Sequence, residues 1–421
     1  MAESAVSTEQ FSSAGQPQVL PAVSAAFTSV LVVYWLMLYV GPLTAEADRG
    51  SIFYLALVVP VALFAFVGGA LVAWAPRVPN RILLLAMYVA IVCAVAATRG
   101  DVPTITSTVL TMLTLMVLTA HRLTPSPNLL NVLFLLSIPM SMAAQLSQLS
   151  IYSVIPFLSN DEDVPFRISL FPFVLESAFF SAVVLILNIL NRGLVLRRLC
   201  MLLSCYFVLL SGLRSAIVGL ALALFYYFVV HRLWYWRPAM KMVYFATACV
   251  VFVGSLVASQ LLLMLAASDN AFVNTYLFRA EAGVQSETEL TNVVYRSWLW
   301  LEHLRIAAEN PILGVGTFDF TELAIEPEGG RTDGTGSEAF LTGLYARVGL
   351  PSVLFILFLG LSIWRGVKAG RHEPMMVGLL LLVAMLVYGS FLVPYNFMFL
   401  TILSLVCTPG QPGRVAAAGR Y

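Results

Sequence analysis

Two ionisable residues fall inside long apolar runs: Glu176 within 168–190 and Arg347 within 338–364. A charge in hydrocarbon is costly and is usually kept for pairing, transport or catalysis. Each also has a plainer reading: Glu176 as half of a buried ion pair with an arginine, Arg347 as a side chain that snorkels to the interface. A second group comprises arginines at the ends of apolar runs or in the long polar stretch between them, namely Arg167, Arg214, Arg279, Arg296 and Arg305. Guanidinium forks bind phosphate oxygens in pairs, so arginines gathered at one membrane surface suit a phosphate-bearing ligand. For Arg305 the competing reading is a solvated ion pair, because Glu302 and Glu309 stand three and four residues away on a helix surface.

The elements that must hold these residues are membrane helices. The chain has 421 residues, is 60% hydrophobic and only 11% charged, whereas soluble chains average about 25% charged. Apolar runs long enough to cross a bilayer are expected at 20–40, 51–75, 81–98, 102–120, 128–150, 168–190, 194–212, 214–230, 240–266, 338–364, 375–393 and 395–407. The expected fold is an all-α polytopic bundle of about twelve spans. Residues 1–19 read as a disordered tail, 20–266 as the first nine spans, 267–337 as one large loop, 338–407 as the last three spans and 408–421 as a second tail. Short loops on one side, together with the C-terminal tail, carry fourteen basic residues, among them Arg77, Arg81, Arg122, Arg197, Arg365, Lys368 and Arg371, against Arg49, Arg99, Arg167 and Arg214 on the other. The excess marks the cytoplasmic side and places both termini there, with the 267–337 loop outside.

That loop is expected to be ordered. Ser286-Glu-Thr-Glu289 reads as a capping box, residues 290–309 as an amphipathic helix, and Asn310-Pro311 with Gly314 as its stop. The glycines of Gly314-Val-Gly316 suit a left-handed turn or a close backbone approach, with N–H groups offered to an anionic ligand. The Gly-rich segment 326–336 suits a lid.

Several chemistries are excluded. A net charge of +1 gives no basic footprint for nucleic acid. The five cysteines lie in or beside apolar runs with no CxxC, and the four histidines are scattered, so neither a disulfide frame nor a metal site is expected. Gly314-Val-Gly316 lacks the third glycine of a dinucleotide site, and no phosphate-binding Gly-Lys-Ser/Thr follows.

The run from Arg296 to Gly316, containing Asn310-Pro-Ile-Leu-Gly-Val-Gly316, is followed by a polar segment and Phe340-Leu-Thr-Gly-Leu-Tyr-Ala-Arg-Val-Gly-Leu350. It resembles the O-antigen ligase and Wzy-type O-antigen and exopolysaccharide polymerase superfamily. Ser211-Gly-Leu-Arg214-Ser-Ala and Arg167-Ile-Ser-Leu-Phe-Pro-Phe-Val-Leu-Glu176-Ser177 are similar to two further segments of that family, so the resemblance covers residues 160–365. It departs twice: the proline after the intramembrane glutamate is absent, and the ligase histidine beyond the Gly-Val-Gly segment is replaced by Ser337-Glu338. The second departure favours a polymerase.

The resemblance implies a glycosyltransferase of the inner membrane that takes undecaprenyl-diphosphate-linked oligosaccharides as donor and acceptor and needs no cofactor or metal. Flippases and chain-length regulators of polysaccharide assembly would be its partners. Arg167, Arg214, Arg279, Arg296, Arg305 and Arg347 would hold diphosphate, with Arg214 and Glu176 also in the catalytic group. Glu338 would be the general base, although a carboxylate there also suits a helix cap. Ligase-type transfer to another acceptor, and a lipid-linked oligosaccharide flippase or transporter, are the alternatives. The absence of an internal repeat and the single large loop disfavour a transporter.

Overall fold

The computed structural model describes residues 21–40, 51–73, 80–147, 168–171, 174–211, 213–231, 303–316, 340–387 and 396–408. Among these residues the fold is all-helical, with no strand. The α-helices are α1 (Pro21–Val40), α2 (Ser51–Ala73), α3 (Asn80–Arg99), α4 (Val102–Ala120), α5 (Pro127–Leu146), α6 (Val174–Leu190), α7 (Arg197–Leu210) and α8 (Arg214–Phe225). A π-helical turn at Tyr226–Val230 continues α8. There follow α9 (Phe340–Val348), α10 (Ser352–Lys368), α11 (Glu373–Val387) and α12 (Phe397–Cys407). Residues 303–309 are also helical.

Helix starts are set by local chemistry. Asp101 caps α4 by accepting from the Thr104 backbone N–H at 3.1 Å, and Asn396 caps α12 by accepting from Met398 at 2.7 Å. Each satisfies an N–H that has no partner within the helix. Prolines open α4 and α5, where a missing N–H costs nothing. Pro60 and Pro139 lie inside α2 and α5, as membrane helices tolerate when neighbours satisfy the freed groups.

Helix α12 is the central pillar. Every residue from Phe397 to Cys407 is buried, and α1, α4, α6, α10 and α11 pack around it. A helix apolar on all faces must be enclosed in this way. Phe180 joins it to the rest of the core, with its ring 5.1 Å from Phe397 and 5.6 Å from Phe171. The outside is apolar too: Leu63, Phe66, Leu83 and Leu202 all point away from the core, a surface suited to lipid. Among the described residues, three helices, Pro21–Tyr39, Asn80–Arg99 and Pro127–Leu146, are long and apolar enough to cross a membrane, and shorter apolar helices accompany them. The protein is a multi-pass membrane protein.

Successive helices alternate in direction and so define two ends. At the first end, the Tyr39 hydroxyl donates to Leu170 O at 2.9 Å and Ile168 N donates to Leu210 O at 3.2 Å. At the second end, Arg371 Nη1 donates to Thr408 O at 2.9 Å, and His121 Nε2 lies 3.3 Å from Gly68 O. Also towards the second end, near the start of α5 and the end of α6, Asn131 and Asn188 exchange side-chain hydrogen bonds of 3.0 and 2.7 Å.

Two expected spans need correction. The run 338–364 is not one helix, because α9 ends at Val348 and α10 starts at Ser352. Gly349-Leu350-Pro351 causes the break: Gly349 adopts φ 66° and Pro351 has no N–H to donate. The run 168–190 is helical only from Val174, and residues 168–171 form a pinned, non-helical strap. The helices named here therefore do not map one to one onto the expected spans, since α9 and α10 share one expected run. The expected span 240–266, the 1–19 tail, the second tail beyond Thr408 and most of the 267–337 loop lie outside the described residues.

Candidate functional site

Two polar clusters occupy the first end of the bundle. The first is built where residues 310–316 dock into the break between α9 and α10. Val315 N donates to Ala346 O and Gly316 N to Arg347 O, both at 2.9 Å, and Leu350 N returns a bond to Ile312 O at 3.1 Å. The backbones meet so closely that only glycine fits. A Cβ on Gly314 would lie 2.3 Å from Arg347 O, and one on Gly349 would lie 2.5 Å from Ile312 O. Gly314, Gly316 and Gly349 all have positive φ, at 64°, 89° and 66°, a region open chiefly to glycine.

The glycine pair thus makes the expected left-handed turn and close approach. It does not offer its N–H groups to an anion, as expected from sequence. Gly314 N donates to Asn310 O at 2.8 Å, so all three N–H groups of 314–316 are spent within the protein. The group turned outward is a carbonyl: Gly314 O accepts from Arg99 Nη2 at 2.7 Å. Arg99 ends α3, and Asp101, which caps α4, lies beside Gly316. Arg347, in the last turn of α9, is within electrostatic reach of Asp101. Arg99, Thr104, Gly316 and Arg347 line a small cleft closed below by Val92 and Pro351. Arg347 therefore stands beside the helix break, not deep inside a continuous span.

The helical residues 303–309 rest on α9. His303 Nδ1 lies 2.9 Å from Thr342 Oγ1, and Ile306, Ala307 and Ala346 form a small buried cluster with Val315 and Tyr345 packed on it. Arg305 points away, more than half exposed, with Nη1 3.6 Å from Glu309 Oε1. This is the ion pair that the spacing suggested, and an exposed pair of this kind contributes little stability.

The second cluster surrounds Glu176, in the first turn of α6. Glu176 is buried; its Oε1 accepts from Asn396 Nδ2 at 2.6 Å, and its enclosed Oε2 has no hydrogen-bond partner. The strap 168–171 is tied down beside the same helix start. Leu170 N donates to Ser177 Oγ at 2.7 Å, and Ser141 Oγ donates to Ser169 O at 3.0 Å. A carboxylate at a helix N-terminus is favoured by the helix dipole, so position and partner together hold Glu176 in one orientation.

The other candidates are placed less fully. Arg214 opens α8, with its side chain outside the described part of the structure. Arg167, Arg279, Arg296 and Glu338 lie outside the described residues. Arg99, Asp101 and Asn396 carry no sequence signal of a site. Arg99 and Asp101 flank Gly100 in a short turn, and Asn396 precedes a helix as an ordinary cap. Only the α9–α10 break and the α12 pillar, both products of tertiary packing, bring them to the site.

A family model described as O-antigen ligase matches residues 199–340. The resemblance drawn from the sequence motifs is therefore shown over that stretch, which begins in α7 and ends at the first residue of α9. The match spans 142 of the 421 residues, so similarity to that family is a finding about this stretch of the chain. A comparison with curated proteins finds no match.

Proposed function

We propose that the protein is a polysaccharide polymerase that joins undecaprenyl-diphosphate-linked oligosaccharide repeat units at the periplasmic face of a bacterial inner membrane. The observation that carries this reading is the O-antigen ligase family match over 199–340. It is supported by the docking of the Asn310–Gly316 motif against the α9–α10 break, which gathers Arg99 and Arg347 at one end of the bundle.

In the reaction, the bond between the anomeric carbon of the donor glycan and its diphosphate oxygen breaks, and an acceptor hydroxyl forms the new glycosidic bond. Undecaprenyl diphosphate leaves. Negative charge grows on the departing diphosphate, and fixed guanidinium groups stabilise it. Arg214 takes that role first, with Arg167, Arg279, Arg296, Arg305 and Arg347 holding the donor and acceptor headgroups. Glu338 receives the proton of the acceptor hydroxyl. Glu176, oriented by Asn396, supports the reacting sugar from below. Such a donor is already activated, so the reaction needs no nucleotide or metal. The periplasmic setting and cytoplasmic termini rest on the fourteen-to-four distribution of basic residues. A flippase supplying substrate and a chain-length regulator would be its natural partners.

A ligase, moving the glycan to a different acceptor, is the second reading, favoured by the description of the matched family. Ser337-Glu338, standing where ligases carry histidine, speaks for the polymerase. The test is elongation by purified protein of lipid-linked repeat units in detergent, without nucleotide sugar or ATP. Lengthened lipid-linked glycan is expected, and Arg214→Ala and Arg296→Ala should each abolish it while single units accumulate. Movement of the lipid between leaflets with no elongation would instead make the protein a flippase. Transfer only to a non-lipid-diphosphate acceptor would make it a ligase.

A further inference from the structure

Arg81 lies at the second end of the bundle, in the first turn of α3. Arg99 ends the same helix at the first end, about 27 Å away at 1.5 Å per residue. Arg81 is 3% exposed, and its Nε and Nη1 are enclosed with no hydrogen-bond partner. A buried guanidinium without an acceptor forfeits its hydration with no return. Cys407 lies close to it and opposes this, while Arg365 in the last turn of α10 and Arg122 in the turn after α4 are close enough for their charges to aggravate it. The α3 N-terminus adds the positive end of a helix dipole. Among the described residues of this end, Glu373 is engaged by Arg371 at 3.6 Å. Arg371 also donates to the Thr408 carbonyl that follows Cys407.

We propose that Arg81, Arg122 and Arg365 form a binding site for a phosphate group at the end of the bundle opposite the candidate active site. The unsatisfied Nε and Nη1 of Arg81 supply the paired donors that a phosphate takes. Arg122 and Arg365 close the charge around it. Arg122, in the turn after α4, and Arg365, in the last turn of α10, lie within electrostatic reach of Arg81, and α3 packs against both α4 and α10, so the bound anion ties together the ends of these neighbouring helices. Two sources carry this chemistry: the headgroup of an anionic phospholipid in the adjoining leaflet, or free phosphate. The site is independent of the glycan reaction.

The test uses full-length protein in a neutral detergent, with thermal unfolding followed by tryptophan fluorescence and binding followed by native mass spectrometry. One arm adds phosphatidylglycerol, one adds phosphatidylcholine, and one adds inorganic phosphate at constant ionic strength. A rise in the unfolding midpoint with phosphatidylglycerol but not phosphatidylcholine, with a retained lipid adduct, supports the site and assigns its source as lipid. A rise with inorganic phosphate and none with phosphatidylglycerol supports the site and assigns the free anion. Arg122→Gln/Arg365→Gln, which leaves the buried Arg81 in place, should weaken binding roughly tenfold or more, since two of the three cationic donors are removed. Arg81→Gln should do the same where it folds. No shift with either additive, or equal shifts in wild type and the double variant, would overturn the proposal.

Discussion

Replacing Gly314 by alanine separates two effects that a glycine can have, and the structure provides the control. The new Cβ would lie 2.3 Å from Arg347 O, 2.4 Å from Arg347 C and 2.5 Å from Val348 N. All three atoms are backbone, so the 310–316 turn must lift by about 1 Å to reach ordinary van der Waals contact. That movement takes the 2.9 Å bonds from Val315 to Ala346 and from Gly316 to Arg347 beyond bonding distance. Two lost bonds at about 1 kcal/mol each, with about 1 kcal/mol for alanine in the left-handed region, total about 3 kcal/mol. The undocked population should rise roughly 100-fold. Gly100 has φ 69°, but a Cβ added there would meet nothing within 4 Å, so Gly100→Ala carries the backbone strain alone. The readout is thiol labelling of Ile306→Cys, a position 4% exposed beneath the docked turn, with the five native cysteines replaced. Labelling should accelerate roughly 100-fold in Gly314→Ala and no more than about fivefold in Gly100→Ala. Equal rates in the two variants, or wild-type protection in Gly314→Ala, would refute the idea that close backbone approach holds this segment.

Two further outcomes follow from the geometry. Glu176→Gln keeps an acceptor for Asn396 Nδ2 and should leave thermal stability near wild type while lowering elongation at least tenfold; Glu176→Ala strands that donor and should cost about 1–3 kcal/mol. Wild-type elongation by Glu176→Gln would reduce the residue to a structural partner of α12. His372, in the turn between α10 and α11, is held below its ordinary 6.5, first by burial and then by the charge of His231, with Glu373 opposing. The folded protein thus resists protonating it while the unfolded chain does not, and stability is lost as pH falls from 6.5 towards the lowered folded value. Thermal midpoints measured across that window should decline in wild type and decline less in His372→Gln; identical profiles would remove His372 from the account.

Helix positions were largely legible because a bilayer demands long apolar runs: α1, α3 and α4 start and stop within one residue of the expected 20–40, 81–98 and 102–120. The misplaced boundaries share a physical cause. Hydropathy sees apolar side chains, whereas the chain breaks where backbone geometry changes, at Gly349-Leu350-Pro351 and before Val174, two residues after Pro172. Both breaks were written in glycine and proline, yet runs of leucine and phenylalanine on either side concealed them. The site was legible in parts. Glu176 stood out as a charge in an apolar run, and the glycines of 314–316 as turn formers. Their relationships were not: that the N–H groups of the glycine turn are consumed by α9, that Arg99 reaches its carbonyl, and that Asn396 orients Glu176 from 220 residues away are matters of tertiary distance. No local spacing encodes them.

The reciprocal pair Asn131–Asn188 also bears on how such a bundle assembles. In lipid, an apolar helix gains little from one axial position over another, since hydrocarbon surrounds its leucines equally well after a slip of one turn. Two carboxamides that each donate to the other meet at a single register. Asn131 also reaches Val195 O at 3.1 Å, and Arg197 Nε donates to Asn188 O at 2.6 Å, which extends the fit to the start of α7. Sliding α5 against α6 by one turn would break the exchange and leave up to four buried polar groups unpaired. The pair therefore acts as a vernier mark for three helices, setting the depth at which α6 presents Glu176 and the height at which α7 delivers the chain to Arg214.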